Sequence, residues 1–239
     1  MPPRKSSNKK AQKKDSASSQ GAISRPPLAL MFPEVSKKLH LEPETYLEDQ
    51  IILVKDFLSP AECKAYVQFI DNLPLELTPP KKRGEASRMN HRISTTSPEH
   101  AQRLHEVLSP HLSPFEHPAR GPPRLPHSMN SNIRMYKYTQ GQYFGQHYDD
   151  SVKDSVTGAR SEWTLLVYLT GAEDGVQGGE TIFQVEEGEG KRRTNKALVP
   201  PLSRGMALLH KHGADCLLHE GAPVLKGTKY VLRSDLMFM

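Results

Sequence analysis

The segment His147-Tyr148-Asp149 sets an imidazole and a carboxylate two positions apart. In an extended strand, residues two apart share a face. Both side chains can therefore grip one metal ion while Tyr148 points away. A third ligand has to come from elsewhere in the chain, and His219, in the run CLLHEG, is the candidate. Two imidazoles and one carboxylate on one face leave three positions of an octahedral ion free. A bidentate cosubstrate and O2 need such positions, and the donor set suits a non-haem ferrous ion. Taken alone, His-x-Asp is weak evidence in a chain with 11 histidines and 27 acidic residues. A rival pair, His210-Lys211-His212, has the same spacing and would make a cupin-like site, but the residues around it follow no further ligand logic.

These residues have to be held by strands. From Asn132 onward the sequence breaks into short apolar or alternating runs: IRMYKYT, QYFGQHYD, WTLLVYLT, ETIFQV, MALLHK, CLLHEG and TKYVLRSDLMF. Turn residues separate them, and runs of this length and spacing point to an all-β sandwich or barrel. The charged stretch EEGEGKRRTN (186–195) reads as an exposed loop between strands. Upstream, IILVKDF (51–57) reads as a strand. Ser59-Pro60-Ala61-Glu62 has the elements of a capping box with proline at the first helical position, and predicts a helix to about Asn72 with Cys63, Tyr66, Val67 and Ile70 inward. A second helix is expected after Ser97-Pro98, burying Ala101, Leu104, Val107 and Leu108.

The net charge of +5 is unevenly placed. Residues 1–25 hold seven basic side chains and one acid, a charge of +6, so the rest of the chain carries −1. This basic, Ser-rich tail is expected to be disordered, and to serve as a nuclear address, a weak nucleic-acid contact or a solubilising segment. The remainder, 26–239, is expected to form one domain, with helical support in 26–130 and a barrel in 131–239. No run approaches the roughly 20 apolar residues of a membrane helix, and the first residues have no apolar core of a secretory signal. Only Cys63 and Cys216 are present, which fits a reducing compartment. The expected location is intracellular, in the nucleus or cytoplasm, with no membrane partner.

Five ordered motifs carry a resemblance. Tyr138-x-x-Gly141-x-Tyr143-Phe144-x-x-His147-x-Asp149 is followed by TLLVYLT. Then come Gly178-Gly179-Glu-Thr181-Ile-Phe183 and Pro201-x-x-x-Gly205-x-Ala207. Last is His219-x-x-x-Pro223-Val224-x-x-Gly227-x-Lys229. Over roughly 132–239, and more loosely before it, the sequence resembles the Fe(II)/2-oxoglutarate-dependent dioxygenase superfamily, in its prolyl 4-hydroxylase-like branch. The resemblance implies a mainly β fold with supporting N-terminal helices, a double-stranded β-helix or cupin-like jelly roll of eight core strands. It implies Fe(II), 2-oxoglutarate and O2, with ascorbate as a supporting reductant, and hydroxylation with release of succinate and CO2. Because Asp149 is present, halogenation is disfavoured.

The resemblance also implies an anchor. The far carboxylate of 2-oxoglutarate would be a buried, unpaired charge without a cation beside it, at a cost of several kcal/mol. Lys229 occupies the family's anchor position. Arg233 shares its strand face by parity and is the second anchor or rival, with a salt bridge at the barrel edge as the plain alternative. Tyr138 stands where a phenol bonds the same carboxylate. Tyr168 could help, or merely pack. Arg134 and Tyr136 are candidate substrate contacts or plain surface ladder positions, and Gly145 leaves space near the iron or marks a bulge. Three functions follow: a hydroxylase acting on a protein side chain or small molecule; a nucleic-acid demethylase of the same superfamily, for which only the basic tail argues; and a non-catalytic jelly-roll binding module. Oligomeric state and substrate are not encoded in these motifs.

Overall fold

The computed structural model describes residues 30–117, 121–187 and 194–239. The basic tail 1–25 and the tip of the charged 186–195 segment lie outside the described residues. In chain order the elements begin with β1 (Pro43–Leu47), β2 (Ile51–Val54), α1 (Pro60–Asp71), β3 (Glu76–Leu77), β4 (Arg88–Met89), β5 (His91–Thr96), α2 (Pro98–Leu108) and β6 (Ser128–Met129). The barrel follows with β7 (Asn132–Tyr138), β8 (Tyr143–His147), β9 (Arg160–Tyr168), β10 (Gln177–Gly178), β11 (Thr181–Glu187) and β12 (Thr194–Leu198). It closes with β13 (Ala207–Lys211), β14 (His219–Gly221), β15 (Val224–Lys226) and β16 (Lys229–Phe238).

Two antiparallel sheets face each other. The larger runs β1-β2-β13-β9-β16-β7-β5-β3, with β6 beside β16; the smaller runs β12-β11-β14-β8-β4. Within them, β7, β16, β9 and β13 oppose β8, β14, β11 and β12, and the chain crosses repeatedly from one sheet to the other. This is the eight-strand double-stranded β-helix. The space between the sheets is filled by Leu53, Tyr138, Tyr168, Phe183, Leu208, Val224 and Val231, among others.

The helices form where the sequence places them. Ser59 caps α1: its hydroxyl accepts from the Glu62 amide at 3.2 Å, and its own amide donates back to the Glu62 carboxylate at 2.6 Å. Cys63, Tyr66 and Ile70 are buried, with Val67 only partly so. In α2, Leu104, Val107 and Leu108 are sealed from solvent, each contributing roughly 1.5–3 kcal/mol.

Three features differ from the sequence expectation. The segment before residue 131 is not helical support alone. The β1–β2 hairpin extends the large sheet at β13, β5 and β3 extend it at β7, and β4 lengthens the small sheet at β8. These additions cover strand edges that would otherwise stand open. The charged stretch is also less of a loop than its composition implies. Glu186 and Glu187 pair with Asn195 and Thr194 across β11 and β12, where charged side chains face water and only the backbone is needed for the ladder. Third, the missing side chain of Gly145 makes room for chain rather than for iron. A Cβ there would sit 3.0 Å from the Ser87 carbonyl, which accepts from the Gly145 amide at 2.7 Å. Gly145 thus lets the 87–89 segment lie flat on the strand that ends in His147.

Gly205 ties α1 to the barrel. Its carbonyl accepts from the Leu58 amide at 3.0 Å, and its amide donates to Tyr168 at 2.7 Å. Its φ is +80°, and a Cβ would run into the Leu58 carbonyl. Gly205→Ala is therefore expected to lower stability by about 2–4 kcal/mol, combining left-handed strain with a backbone clash. Denaturant unfolding of the variant and wild-type proteins measures this directly.

Candidate metal centre and its cavity

His147 ends β8 and His219 begins β14, and the two residues are register partners on neighbouring strands. Asp149 lies just beyond β8. The cross-strand pairing brings together donors 72 positions apart. Nε2 of His147 is 3.8 Å from Asp149 Oδ1, and Nε2 of His219 is 3.7 Å from Oδ2. Tyr148 turns outward and is 61% exposed.

The hydrogen bonds fix which atoms carry lone pairs. Nδ1 of His147 donates to the Gly145 carbonyl at 2.8 Å, and Nδ1 of His219 donates to Leu217 at 2.9 Å. In a neutral imidazole the other nitrogen is then a free acceptor. Both rings are neutral near pH 7. Burial, then the neighbouring His219, holds His147 down to about 4. Burial also lowers His219, against the pull of Asp149. Burial raises the Asp149 pKa, but Arg233 and the three histidines around it more than offset this, leaving the carboxyl well below its usual range. Two neutral imidazole nitrogens and a carboxylate turned to one point form a ready donor set for a divalent cation.

Asp149 is held on two sides. Arg233 Nη1 donates to Oδ1 at 2.9 Å, and Thr164 Oγ1 donates to Oδ2 at 3.0 Å. Because the Thr164 proton goes to Asp149, its oxygen must accept from His212 Nδ1 at 2.9 Å. His212 Nε2 then accepts from Ser161 Oγ at 2.9 Å. This buried chain, Ser161 to His212 to Thr164 to Asp149, orients the carboxylate. The sequence carried no sign of it beyond the i, i+2 histidine pair.

That rival pair separates in space by role. His212 is spent on Thr164 and Ser161. His210 is fully buried; its Nδ1 meets the Lys211 carbonyl at 3.3 Å, and its Nε2, 3.5 Å from Asp149 Oδ2, has no hydrogen-bond partner among the described residues. Its ring packs edge-on to Phe183 and His219. Among the described residues a second donor group, His210, Cys216 and His219, exists beside the first. Its thiol is a poor ligand as it stands, because burial pushes Cys216 up to about 11.

Behind the donors lies a narrow inner cavity lined by Tyr138, Thr181, His210, Lys229, Val231 and Arg233, among others. Lys229 begins β16 opposite Tyr138. Its ammonium is buried, donates to the Gly179 carbonyl at 2.6 Å, and sits 5.5 Å and 5.2 Å from the ring centres of Tyr138 and Tyr168. Tyr168, whose orientation the sequence left open, is buried and bonds Thr181, a lining residue of this cavity, at 2.7 Å. Among the described residues no carboxylate lies within ion-pair distance of Lys229, and burial, against a weaker pull from Glu180, lowers its pKa to about 8. An ammonium has three protons to give, so this one awaits an anion.

Arg233 lines the same cavity but is already paired. It shares the Lys229 face, but its guanidinium is engaged by Asp149 and by Asp235 at 3.4 Å. Arg134 is register partner to Arg233, lies 3.7 Å from Asp235, and lines an outer cleft together with Tyr136. Trp163 is core, edge-on to Phe115.

Comparison with known proteins agrees with this geometry. Residues 133–234 match the family described as the 2OG-Fe(II) oxygenase superfamily. No curated protein matches the chain. Among solved structures, a prolyl-4-hydroxylase from Pseudomonas putida superposes with a TM-score of 0.53 at 14% identity, covering 80% of this chain and 93% of that one. A prolyl hydroxylase from Trichoplax adhaerens, in complex with a hypoxia inducible factor oxygen degradation domain peptide fragment, gives 0.52 at 14%, covering 80% and 86%. The viral collagen prolyl hydroxylase of Paramecium Bursaria Chlorella virus-1 gives 0.50 at 19%, covering 80% and 97%. At these identities the likeness is one of fold. The barrel of this chain belongs to the 2OG-Fe(II) oxygenase superfamily, a family of oxidoreductases.

Proposed function

We propose that the protein is a 2-oxoglutarate-dependent hydroxylase acting on a side chain of a protein substrate, with His147, Asp149 and His219 holding Fe(II). The observation that carries this reading is the pairing of two sites in one cavity. A donor set with its lone pairs already directed inward stands in front of a buried cation that makes no ion pair among the described residues. Bound iron and 2-oxoglutarate supply the oxidising chemistry. The chain supplies orientation. Lys229 pairs the far carboxylate of the cosubstrate, Tyr138 walls its stem, Tyr168 backs the wall through Thr181, and Arg233 with Thr164 holds Asp149. Arg134 and Tyr136 face the substrate side. Asp149 with the two imidazoles is preferred over His210, Cys216 and His219 because it offers a carboxylate and needs no thiol deprotonation.

The chain divides, on this reading, into a basic tail to residue 25 and one catalytic domain from 26 to 239. Among the described residues no helix is long and apolar enough to cross a membrane. The basic tail and the two free cysteines support a nuclear or cytoplasmic placement.

The test is succinate formation by purified, Fe(II)-loaded protein given 2-oxoglutarate and pools of peptides, oligonucleotides and metabolites, with and without ascorbate. Peptide-stimulated succinate with a 16-dalton mass gain on the peptide is the expected result. Stimulation by methylated oligonucleotides alone would replace it with the demethylase reading, and no succinate under any condition would leave a binding module.

The hydrogen-bond chain behind Asp149 gives a milder prediction. Thr164→Val keeps the shape but removes the proton to Asp149 and leaves His212 Nδ1 unpaired. Groups behind a metal ligand typically change affinity about 10–100-fold. Fe(II) affinity should fall by about tenfold in a chelator-competition titration, and stability by about 1–3 kcal/mol.

A further inference from the structure

Outside the metal donors the barrel opens into a cleft of about 570 Å³, with His147 and Asp149 on its floor. One wall is the segment between β3 and β5. This wall is fixed in place, because β4 pairs with β8 and the Ser87 hydroxyl meets the Tyr143 hydroxyl at 2.9 Å. The charge of the lining is lopsided: six cations against three carboxylates. Two of those cations are already engaged, Arg233 by Asp149 and Arg134 by Asp235. Four remain, Lys81, Lys82, Arg88 and Arg92, and none of their side chains makes an ion pair among the described residues. Arg88 lies 5.0 Å over the ring of Phe144, which stacks at 3.6 Å on His147. A free cation is thus one aromatic ring away from the metal donors. Facing the four are only Glu85, whose carboxylate accepts from the Lys82 amide at 2.9 Å, and Asp150.

We propose that this cleft selects an acidic peptide: a protein segment carrying Asp or Glu side chains beside the residue to be oxidised. This rests on the hydroxylase reading above and adds the substrate's chemistry to it. Four unpaired cations in a concave wall raise the local concentration of an anionic ligand and orient it on arrival. A nucleic acid fits the same wall less well. Its phosphates form an unbroken row that would have to pass Glu85 and Asp150, and the chain beyond residue 25 carries −1 overall, unlike the basic face of a nucleic-acid-binding domain. A peptide can set its carboxylates against the cations and its neutral residues against the two acids. The exposed Tyr148 ring at the mouth gives such a peptide an apolar contact.

The test uses the full chain loaded with Fe(II) and 2-oxoglutarate under anaerobic conditions, and three fluorescent probes read by anisotropy. These are a 15-residue Asp/Glu-rich peptide, the same peptide with Asn/Gln in place of the acids, and a 15-nucleotide oligothymidine. The acidic peptide is expected to bind at least tenfold more tightly than its neutral twin, and to weaken as salt rises. The double charge reversal Lys81→Glu/Arg92→Glu should cost tenfold or more. The milder Lys81→Gln/Arg92→Gln should cost less, and Lys64→Glu, on the exposed face of α1, nothing. Unfolding curves of each variant separate lost binding from lost fold, and the Gln pair decides the matter if the Glu pair does not fold. Equal affinity for the two peptides would overturn the proposal, as would tighter binding of the oligothymidine. Uncoupled succinate release in air, measured on wild-type protein without any peptide, reports the hydroxylase reading separately. Acid-selective binding without succinate sinks that reading and keeps the cleft assignment; succinate without acid selectivity does the reverse.

Discussion

Replacing Asp149 by asparagine is expected to weaken Fe(II) binding by at least about a hundredfold and to remove turnover. Loss of a group behind a ligand already costs about 10–100-fold in affinity, and Asp149 would be the ligand itself and the sole anion of the donor set. The choice of asparagine matters. Asp149 is also the main partner of the buried Arg233 guanidinium, at 2.9 Å, with Asp235 a more distant second. Asp149→Ala would leave that cation short of charge, at a cost of about 3–5 kcal/mol, so lost iron binding would be confounded with lost fold. Asparagine keeps the volume and an oxygen toward Arg233. Chelator-competition titration reads the affinity and thermal unfolding of the metal-free protein reads the fold. If Asp149→Asn binds iron at wild-type strength while Cys216→Ser or His210→Ala does not, the ion belongs to the neighbouring donor group.

The second large effect is at Lys229. Lys229→Met keeps the stem and removes the charge, and the KM for 2-oxoglutarate should rise by two to three orders of magnitude, about 3–4 kcal/mol for a buried pair that loses one partner. Fe(II) affinity should change little, since Lys229 is not among the donors. The pH dependence has a definite sign. Burial has lowered the free protein's Lys229 to about 8, and only the cationic form pairs with a carboxylate. Affinity for the cosubstrate should therefore be full below that value and fall by about tenfold between pH 7 and pH 9. Isothermal titration with the metal in place measures it. In Lys229→Met the slope should vanish; a slope that persists would assign the titration to another group.

The parts of this site that could be read in the sequence are those set by local periodicity. His147 and Asp149 are two apart at a strand end, α1 and α2 announce themselves by their caps and stripes, and the major barrel runs stand at their observed places. What could not be read depends on reach. Parity put Arg233 on the face of Lys229, but four residues of strand span about 13 Å, enough to set the guanidinium against Asp149 rather than beside the Lys229 ammonium. The role of Gly145 was hidden because the chain it accommodates comes from residue 87, a contact with no local signature. The cationic wall was hidden for the same reason. Lys81, Lys82, Arg88 and Arg92 sit in an ordinary polar stretch until β4 pins that stretch to β8. Tyr168 needed the pairing of β9 with β16 to show which way it faced.

The place of β16 bears on how the protein is made. It is the last barrel strand in the chain, yet it lies between β7 and β9 at the centre of the larger sheet, and it carries Lys229 and Arg233. A nascent chain emerging from the ribosome therefore holds β7 and β9 with no strand to join them until β16 has emerged. Until then two hydrogen-bonding edges stand open, a condition that favours association with other chains. The larger sheet can close only once β16 has been made. A chain terminated before residue 229 would lack the strand that joins the halves of the larger sheet, and its expected fate is degradation rather than residual activity.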